Sequence, residues 1–189
     1  HVRSRRQRQM CIRDRCTPPH IIASVREVFG GTIELDPCSN KDSVVGADTE
    51  YLLPHTDGLK EPWNAATIFV NPPYGADTTT GTKILNWFEK ISTAAHNGSE
   101  VIALVSVATN TRHWKEYVFP VAQAICFLAD SRFKFYLDGK QDPKGAPMAC
   151  ALIYYGDRWG SFADEFKQYG TVVPLSLIHI SEPTRLLSI

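Results

Sequence analysis

Thr67-Ile68-Phe69-Val70-Asn71-Pro72-Pro73-Tyr74-Gly75 is the run on which the fold turns. Thr67 to Val70 are β-branched or aromatic, the composition of a buried strand. The strand must stop at Asn71. Proline locks φ, lacks an N–H donor and pushes the residue before it out of the α region. Asn71-Pro72-Pro73 therefore predicts a stiff, acceptor-rich corner at the carboxyl end of a strand. In an open α/β sheet, ligands bind outside the carboxyl ends of the strands, so this corner is where chemistry is expected.

Strand and helix periods alternate on both sides of it. Upstream, Ile33-Glu34-Leu35 reads as a short buried strand ending at Asp36-Pro37-Cys38-Ser39-Asn40, a second strand-end site. Before it, a helix starts after Thr17-Pro18-Pro19, with Thr17 as the expected cap and a proline in its first turn. Ile21, Ile22, Val25, Val28 and Phe29 share one face of it, and Gly30-Gly31 stops it. Downstream, Lys83 to Ala95 carries Ile84, Leu85, Trp87, Phe88 and Ile91 at helical spacing; Asn97-Gly98 then leads to an apolar strand from Val101 to Val107. Ala124 to Leu128, Phe133 to Leu137 and Ala149 to Tyr155 read as further strands, the last two as a hairpin around Gly139 to Pro147. Trp63 reads as core, and His113-Trp114 as a helix start with an apolar anchor or as the border of a pocket. The pattern predicts an α/β fold: a three-layer αβα sandwich with a mostly parallel sheet and a late antiparallel hairpin.

The two ends of the chain stand apart. Met10 to Asp14 can be encoded by ATG TGT ATA AGA GAC, and with AG added its reverse complement encodes Leu-Ser-Leu-Ile-His, the residues at 175 to 179. An inverted repeat of this kind resembles the transposon end of sequencing adaptors. Residues 1–15 and 175–189 are therefore expected to be translated adaptor, leaving one domain at 16–174, cut short at one or both ends.

Setting those ends aside changes the charge. The whole chain balances 20 basic against 20 acidic residues, whereas 16–174 holds 13 and 18. A net-acidic domain has no global attraction for a polyanion, so any nucleic-acid contact must be local. Cys16, Cys38, Cys126 and Cys150 form no CxxC pair, which predicts neither a zinc site nor a disulfide framework. No apolar run approaches the ~20 residues of a membrane span. A cytoplasmic location, no membrane and no metal are the resulting expectations.

Neither G-x-G-x-x-G nor G-x-x-x-x-G-K-[ST] occurs, which disfavours dinucleotide and nucleoside triphosphate enzymes. Asn71-Pro72-Pro73-Tyr74 suits a different task. An adenine amine is a weak nucleophile, because its lone pair is delocalised into the ring. An enzyme that alkylates it must hold both hydrogens with acceptors; the Asn71 side-chain oxygen and the Pro72 carbonyl can supply them. Tyr74 can stack on an extruded base, a contact worth ~1–3 kcal/mol in such sites. The competing reading packs Tyr74 in the core.

Thr17-Pro18, Leu35-Asp36-Pro37-Cys38, Asp57-Gly58-Leu59, Trp63, Phe69 to Gly75, Thr109 to Trp114, Ser131 to Phe135 and Ala146-Pro147 occur in the order seen in one family. The sequence resembles the bacteriophage-type Dam family of DNA N-6-adenine methyltransferases, over nearly all of 16–174. The resemblance implies a Rossmann-like methyltransferase sheet, S-adenosylmethionine (AdoMet) as cofactor, and DNA as partner in a phage or restriction-modification setting. It implies Asn71, Pro72, Pro73 and Tyr74 as catalytic residues. Asp36, with Pro37, takes the place of the acidic residue near the cofactor's methionine moiety, and Asp57 that of a residue near its adenine. The competing reading of each aspartate is a helix N-cap or turn former. The chain departs from many methyltransferases in having Cys38-Ser39-Asn40 where a glycine-rich turn follows the first strand. Asp48 and Glu50 are the available acids for the cofactor ribose.

Arg132, Lys134, Lys140 and Lys144 gather with Phe133, Phe135 and Tyr136, and basic residues interleaved with aromatics suit a DNA contact; Arg132, Lys134 and Lys140 are the expected DNA-binding residues. The alternative is an edge hairpin whose lysines discourage pairing. Two other functions fit the same corner: methylation of an RNA adenine or a protein glutamine, and a non-catalytic AdoMet- or DNA-binding module.

Overall fold

The computed structural model describes residues 16–74, 82–129, 133–137, 140–143, 145–146 and 148–175. Helix α1, Pro19–Phe29, buries Ile21, Ile22, Val25, Val28 and Phe29 on one face. Its start differs from expectation: Pro18 is the N-cap and no side chain caps the helix, because the Thr17 hydroxyl is used elsewhere. Gly30, at φ 80°, closes it, with the Gly30 and Gly31 N–H groups reaching the Glu27 and Arg26 carbonyls.

Leu35–Asp36 (β1), Thr49–Glu50 (β2), Thr67–Val70 (β3) and Glu100–Ser106 (β4) form the parallel half of a seven-stranded sheet, β1 lying between β2 and β3. Ala124–Leu128 (β5) follows. Tyr136–Leu137 (β6) and Lys140–Gln141 (β7) form a separate two-stranded hairpin, and Cys150–Tyr155 (β8) and Gly170–Pro174 (β9) complete the main sheet. The order is β2-β1-β3-β4-β8-β5-β9, with β8 antiparallel to both β4 and β5, and β9 antiparallel to β5. The sheet is thus mixed, and the expectation of mostly parallel pairing holds only for its first half. The expected hairpin between 133–137 and 149–155 is replaced by β6 with β7. Every residue of β8 is buried, so it belongs in the middle of a sheet and not at an edge.

Alternation along the central strands divides the core between two faces. Phe69, Ile102, Leu104 and Leu152 face α1 and helix α3, Trp159–Phe166, whose Phe162 and Phe166 are fully buried. Ile68, Val70, Val101, Ala103 and Val105 face helix α2, Ile84–His96, together with Trp63 and Trp114. Helices therefore cover both faces. Trp114 opens a π-helical turn, Trp114–Val118, and donates its indole N–H to the Ser106 carbonyl at 3.2 Å. It is core, as one of its two readings held.

Candidate active site

Parallel pairing sets the carboxyl ends of β2, β1 and β3 side by side. Asp36 is in register with Glu50, and Leu35 with Ile68, so Asp36, Glu50 and Asn71 come from three adjacent strand ends. Asp36 is only 4% exposed, and its Oδ1 accepts the Cys38 N–H at 3.0 Å, closing the turn after β1. Burial raises the Asp36 carboxyl to about 7; the Cys38 N–H pulls the other way and Glu50 adds repulsion. Among the described residues no cation contributes to it. Burial and the neighbouring Asp36 also push the Cys38 thiol well above its usual range, against the opposing pull of the Asn71 backbone N–H. Cys38 thereby touches both strand ends. Glu50 accepts the Ser39 hydroxyl at 3.0 Å and the Ala47 N–H at 3.3 Å. Asp48 stands before β2 and lines a separate cleft of about 430 Å³ with Glu34, Tyr51 and Asn64.

Asp57 reaches the same region through its neighbour. A Cβ on Gly58 would lie 1.7 Å from the Pro37 carbonyl oxygen, so only glycine lets this loop rest against the turn after β1. From the other side, Trp63 donates its indole N–H to the Gly58 carbonyl at 2.8 Å. The Lys90 ammonium donates to the Gly58 carbonyl at 3.1 Å, the Leu59 carbonyl at 2.9 Å and the Glu61 carbonyl. Asp57 itself forms a turn, accepting the Leu59 N–H at 3.1 Å, and pairs with Lys60 at 3.3 Å. The turn-former reading of Asp57 holds alongside its placement near Pro37. A cleft of about 550 Å³ opens beside it, lined by Asp57, Lys60, Asn86, Glu89 and Lys90.

At the β3 corner Pro72 is buried, and Asn71, Pro73 and Tyr74 are half-buried. The Asn71 amide lies between two hydroxyls: its Nδ2 donates to Thr17 Oγ1 at 3.2 Å, and the Tyr74 hydroxyl lies 3.2 Å from its Oδ1. The Tyr74 hydroxyl is also 3.2 Å from the Leu104 carbonyl, and its ring tilts against Phe135 with centroids 6.1 Å apart. Tyr74 in this structure packs on the core while touching Asn71. Gly75 lies outside the described residues.

Of the expected DNA-contact residues, Lys134 and Lys140 are exposed, whereas Arg132 and Lys144 lie outside the described residues. The aromatics expected to interleave with them do not. Phe133 and Phe135 are buried and meet edge to face at 4.9 Å, because alternation in an extended segment sends them inward and Lys134 outward. Tyr136 exchanges backbone hydrogen bonds with Cys16, both 2.9 Å, which ties the hairpin to the segment carrying Thr17. His113 packs against Phe88 at 4.8 Å, and burial lowers its pKa.

Thr17, Cys38 and Gly58 belong to this neighbourhood, and the sequence marked them only as parts of motifs, with no role at the site of their own. Thr17 precedes two prolines and looks like a helix cap; a side chain that binds a residue 54 positions away leaves no local signal. Among the described residues no group of His, Cys, Asp or Glu is arranged to hold a metal, and no helix is long and apolar enough to cross a membrane.

No curated protein and no solved structure matches the chain. A family model described as DNA N-6-adenine-methyltransferase (Dam) matches residues 8–176. With nearly the whole sequence matched, and the Asn71 corner inside the matched span, this chain belongs to the Dam family of DNA adenine methyltransferases and is an enzyme.

Proposed function

We propose that the enzyme transfers a methyl group from AdoMet to the exocyclic amine of an adenine extruded from DNA, at the junction of the β1 and β3 ends. One observation supports this reading: Cys38 donates its backbone N–H to the buried Asp36 carboxylate at the end of β1, and its thiol meets the Asn71 backbone at the end of β3. The sheet order, with an antiparallel β8 between β4 and β5, supports a Rossmann-like methyltransferase fold.

The residues fit the cofactor chemically. Asp36 stays near neutrality in its pKa because burial is uncompensated by a positive charge; a cationic ligand supplies that charge. Bound there, AdoMet offers an electrophilic methyl on a sulfonium. Asp36 and Pro37 would border its methionine side, Asp57 its adenine, and Glu50, rather than Asp48, its ribose, since Glu50 is the one in register with Asp36 at the strand ends. Asn71 Oδ1 and the Pro72 carbonyl accept the two amine hydrogens, aiming the nitrogen lone pair at the methyl carbon. The cofactor would supply the methyl group and leave as a neutral thioether, and the amine would release one proton to solvent. For the base to enter, the Tyr74 hydroxyl leaves Asn71 Oδ1 and its ring becomes the stacking face. Pro73 stiffens the corner, and Arg132, Lys134 and Lys140 contact the DNA backbone.

Asn71→Ala tests the reading. Its single-turnover methylation rate on DNA should fall ~10²–10³-fold, the usual cost of one positioned polar contact, while AdoMet affinity stays near parental. Parental methylation by this variant would move the active site elsewhere.

A further inference from the structure

We infer that Thr17 is a positioning residue for methyl transfer, holding the Asn71 side-chain amide so that its oxygen faces the target amine. This inference rests on the proposed role of Asn71.

Thr17 is 2% exposed and comes from a different part of the chain than the β3 corner. Two neighbouring features hold it in place. Cys16 is bridged through both its backbone groups to Tyr136, and the Pro18 carbonyl accepts the Ile21 N–H at 3.0 Å as α1 begins. The Thr17 hydroxyl is therefore presented on a backbone anchored before and after it. Its Oγ1 is 3.2 Å from Asn71 Nδ2.

An asparagine amide has a donor end and an acceptor end of nearly equal shape, and its partners decide which end faces which way. Methyl transfer needs the acceptor toward the substrate, because an amine hydrogen meeting Nδ2 would set donor against donor. The Tyr74 hydroxyl lies on the Oδ1 side, so the Thr17 side is the rear of the amide. A hydroxyl there satisfies Nδ2, resists rotation about the Cβ–Cγ bond, and polarises the amide so that Oδ1 accepts more strongly. Without it, the half-buried amide loses this acceptor and the hold on its orientation weakens.

The test uses the full chain, genomic DNA free of N6-methyladenine, and methyl-labelled AdoMet under single-turnover conditions. Thr17→Val keeps the shape and β-branch and removes the hydroxyl; Thr17→Ser keeps the hydroxyl. Thr17→Val should lower the methylation rate about 10–100-fold, a contact acting through Asn71 costing less than Asn71 itself, with AdoMet affinity unchanged. Thr17→Ser should recover most of the rate. Thr17→Val on an Asn71→Ala background should cost nothing further, because the group it positions is gone. A structural role would instead slow both backgrounds by the same factor, and that result overturns the inference. Equal impairment of Thr17→Ser and Thr17→Val also overturns it, as does a parental rate for Thr17→Val in a background where Asn71→Ala is slow. If Asn71→Ala itself is parental, the active-site reading fails first and the inference falls with it.

Discussion

A buried carboxylate with no cation among the described residues that set its pKa makes Asp36 a pH-sensitive residue in folding and, in its proposed role, in cofactor binding. Its unfolded form titrates near ~4 and its folded form near about 7. Between those values the native state holds the extra proton, so this residue's contribution to stability declines as pH rises from about 4 to about 7. Above that window the charged form costs the fold on the order of 4 kcal/mol, a roughly three-unit shift at ~1.4 kcal/mol per unit. Asp36→Asn keeps an acceptor for the Cys38 N–H and cannot ionise. Its melting temperature should exceed the parental value at pH 8, with the gap closing toward pH 5. AdoMet should behave oppositely: parental affinity rises with pH through about 7 as the carboxylate forms, and Asp36→Asn binds weakly at every pH. Thermal melts and calorimetry at the two pH values check both, and a pH-independent difference in melting temperature would remove Asp36 as the titrating group. At this scale the sequence was readable where backbone chemistry is local. Asn71 before two prolines and Asp36 before Pro37 announce strand ends by themselves. Thr17 and Cys38 act across the fold, and nothing in their neighbours indicates it.

Among the elements, the loop through Asp57, Gly58 and Leu59 depends most on a single atom's absence. Gly58→Ala places a methyl 1.7 Å from the Pro37 carbonyl, against backbone that cannot rotate away as a side chain would. The two loops must separate, at a cost of ~1–3 kcal/mol typical of overpacking. AdoMet affinity should fall at least tenfold, since the Asp36 and Asp57 contacts can no longer be made together. Calorimetry on folded Gly58→Ala decides it: parental affinity would show that the two loops do not share a ligand. Elements with continuous apolar runs, such as β3, β4, β5, β8 and α2, could be read from sequence. Those that could not are short or exposed. Thr49–Glu50 has two exposed residues and no pattern, β9 alternates only weakly at an edge, and α3 shows its periodicity in just Phe162 and Phe166. Strand direction was illegible too, because β8 looks the same in either orientation and only its partners β4 and β5 define it.

For the whole molecule, the terminal segments remain a sequence-level proposal. Leu175 donates its N–H to the Gln123 carbonyl at 2.8 Å, so the dispensable tail is placed after it. Removing residues 1–15 and 176–189 should leave stability within about 0.5 kcal/mol and AdoMet affinity unaltered; failure to fold after removal of the first segment alone would show that it belongs to the domain. The position of β8 bears on how the protein is made. β4 ends at Ser106, and the strand that covers its far edge spans Cys150–Tyr155. At ~5–20 residues per second of synthesis, the apolar edge of β4 waits roughly 2–10 s for that partner, open to pairing with any other chain. β5 waits with it, since both its neighbours in the sheet, β8 and β9, are made later. The Cys16–Tyr136 bridge beside Thr17 also waits for residues made well after the Asn71 corner. A ribosome-bound nascent chain therefore displays the Asn71 corner in an unsupported form until the segment through Tyr136 has been made.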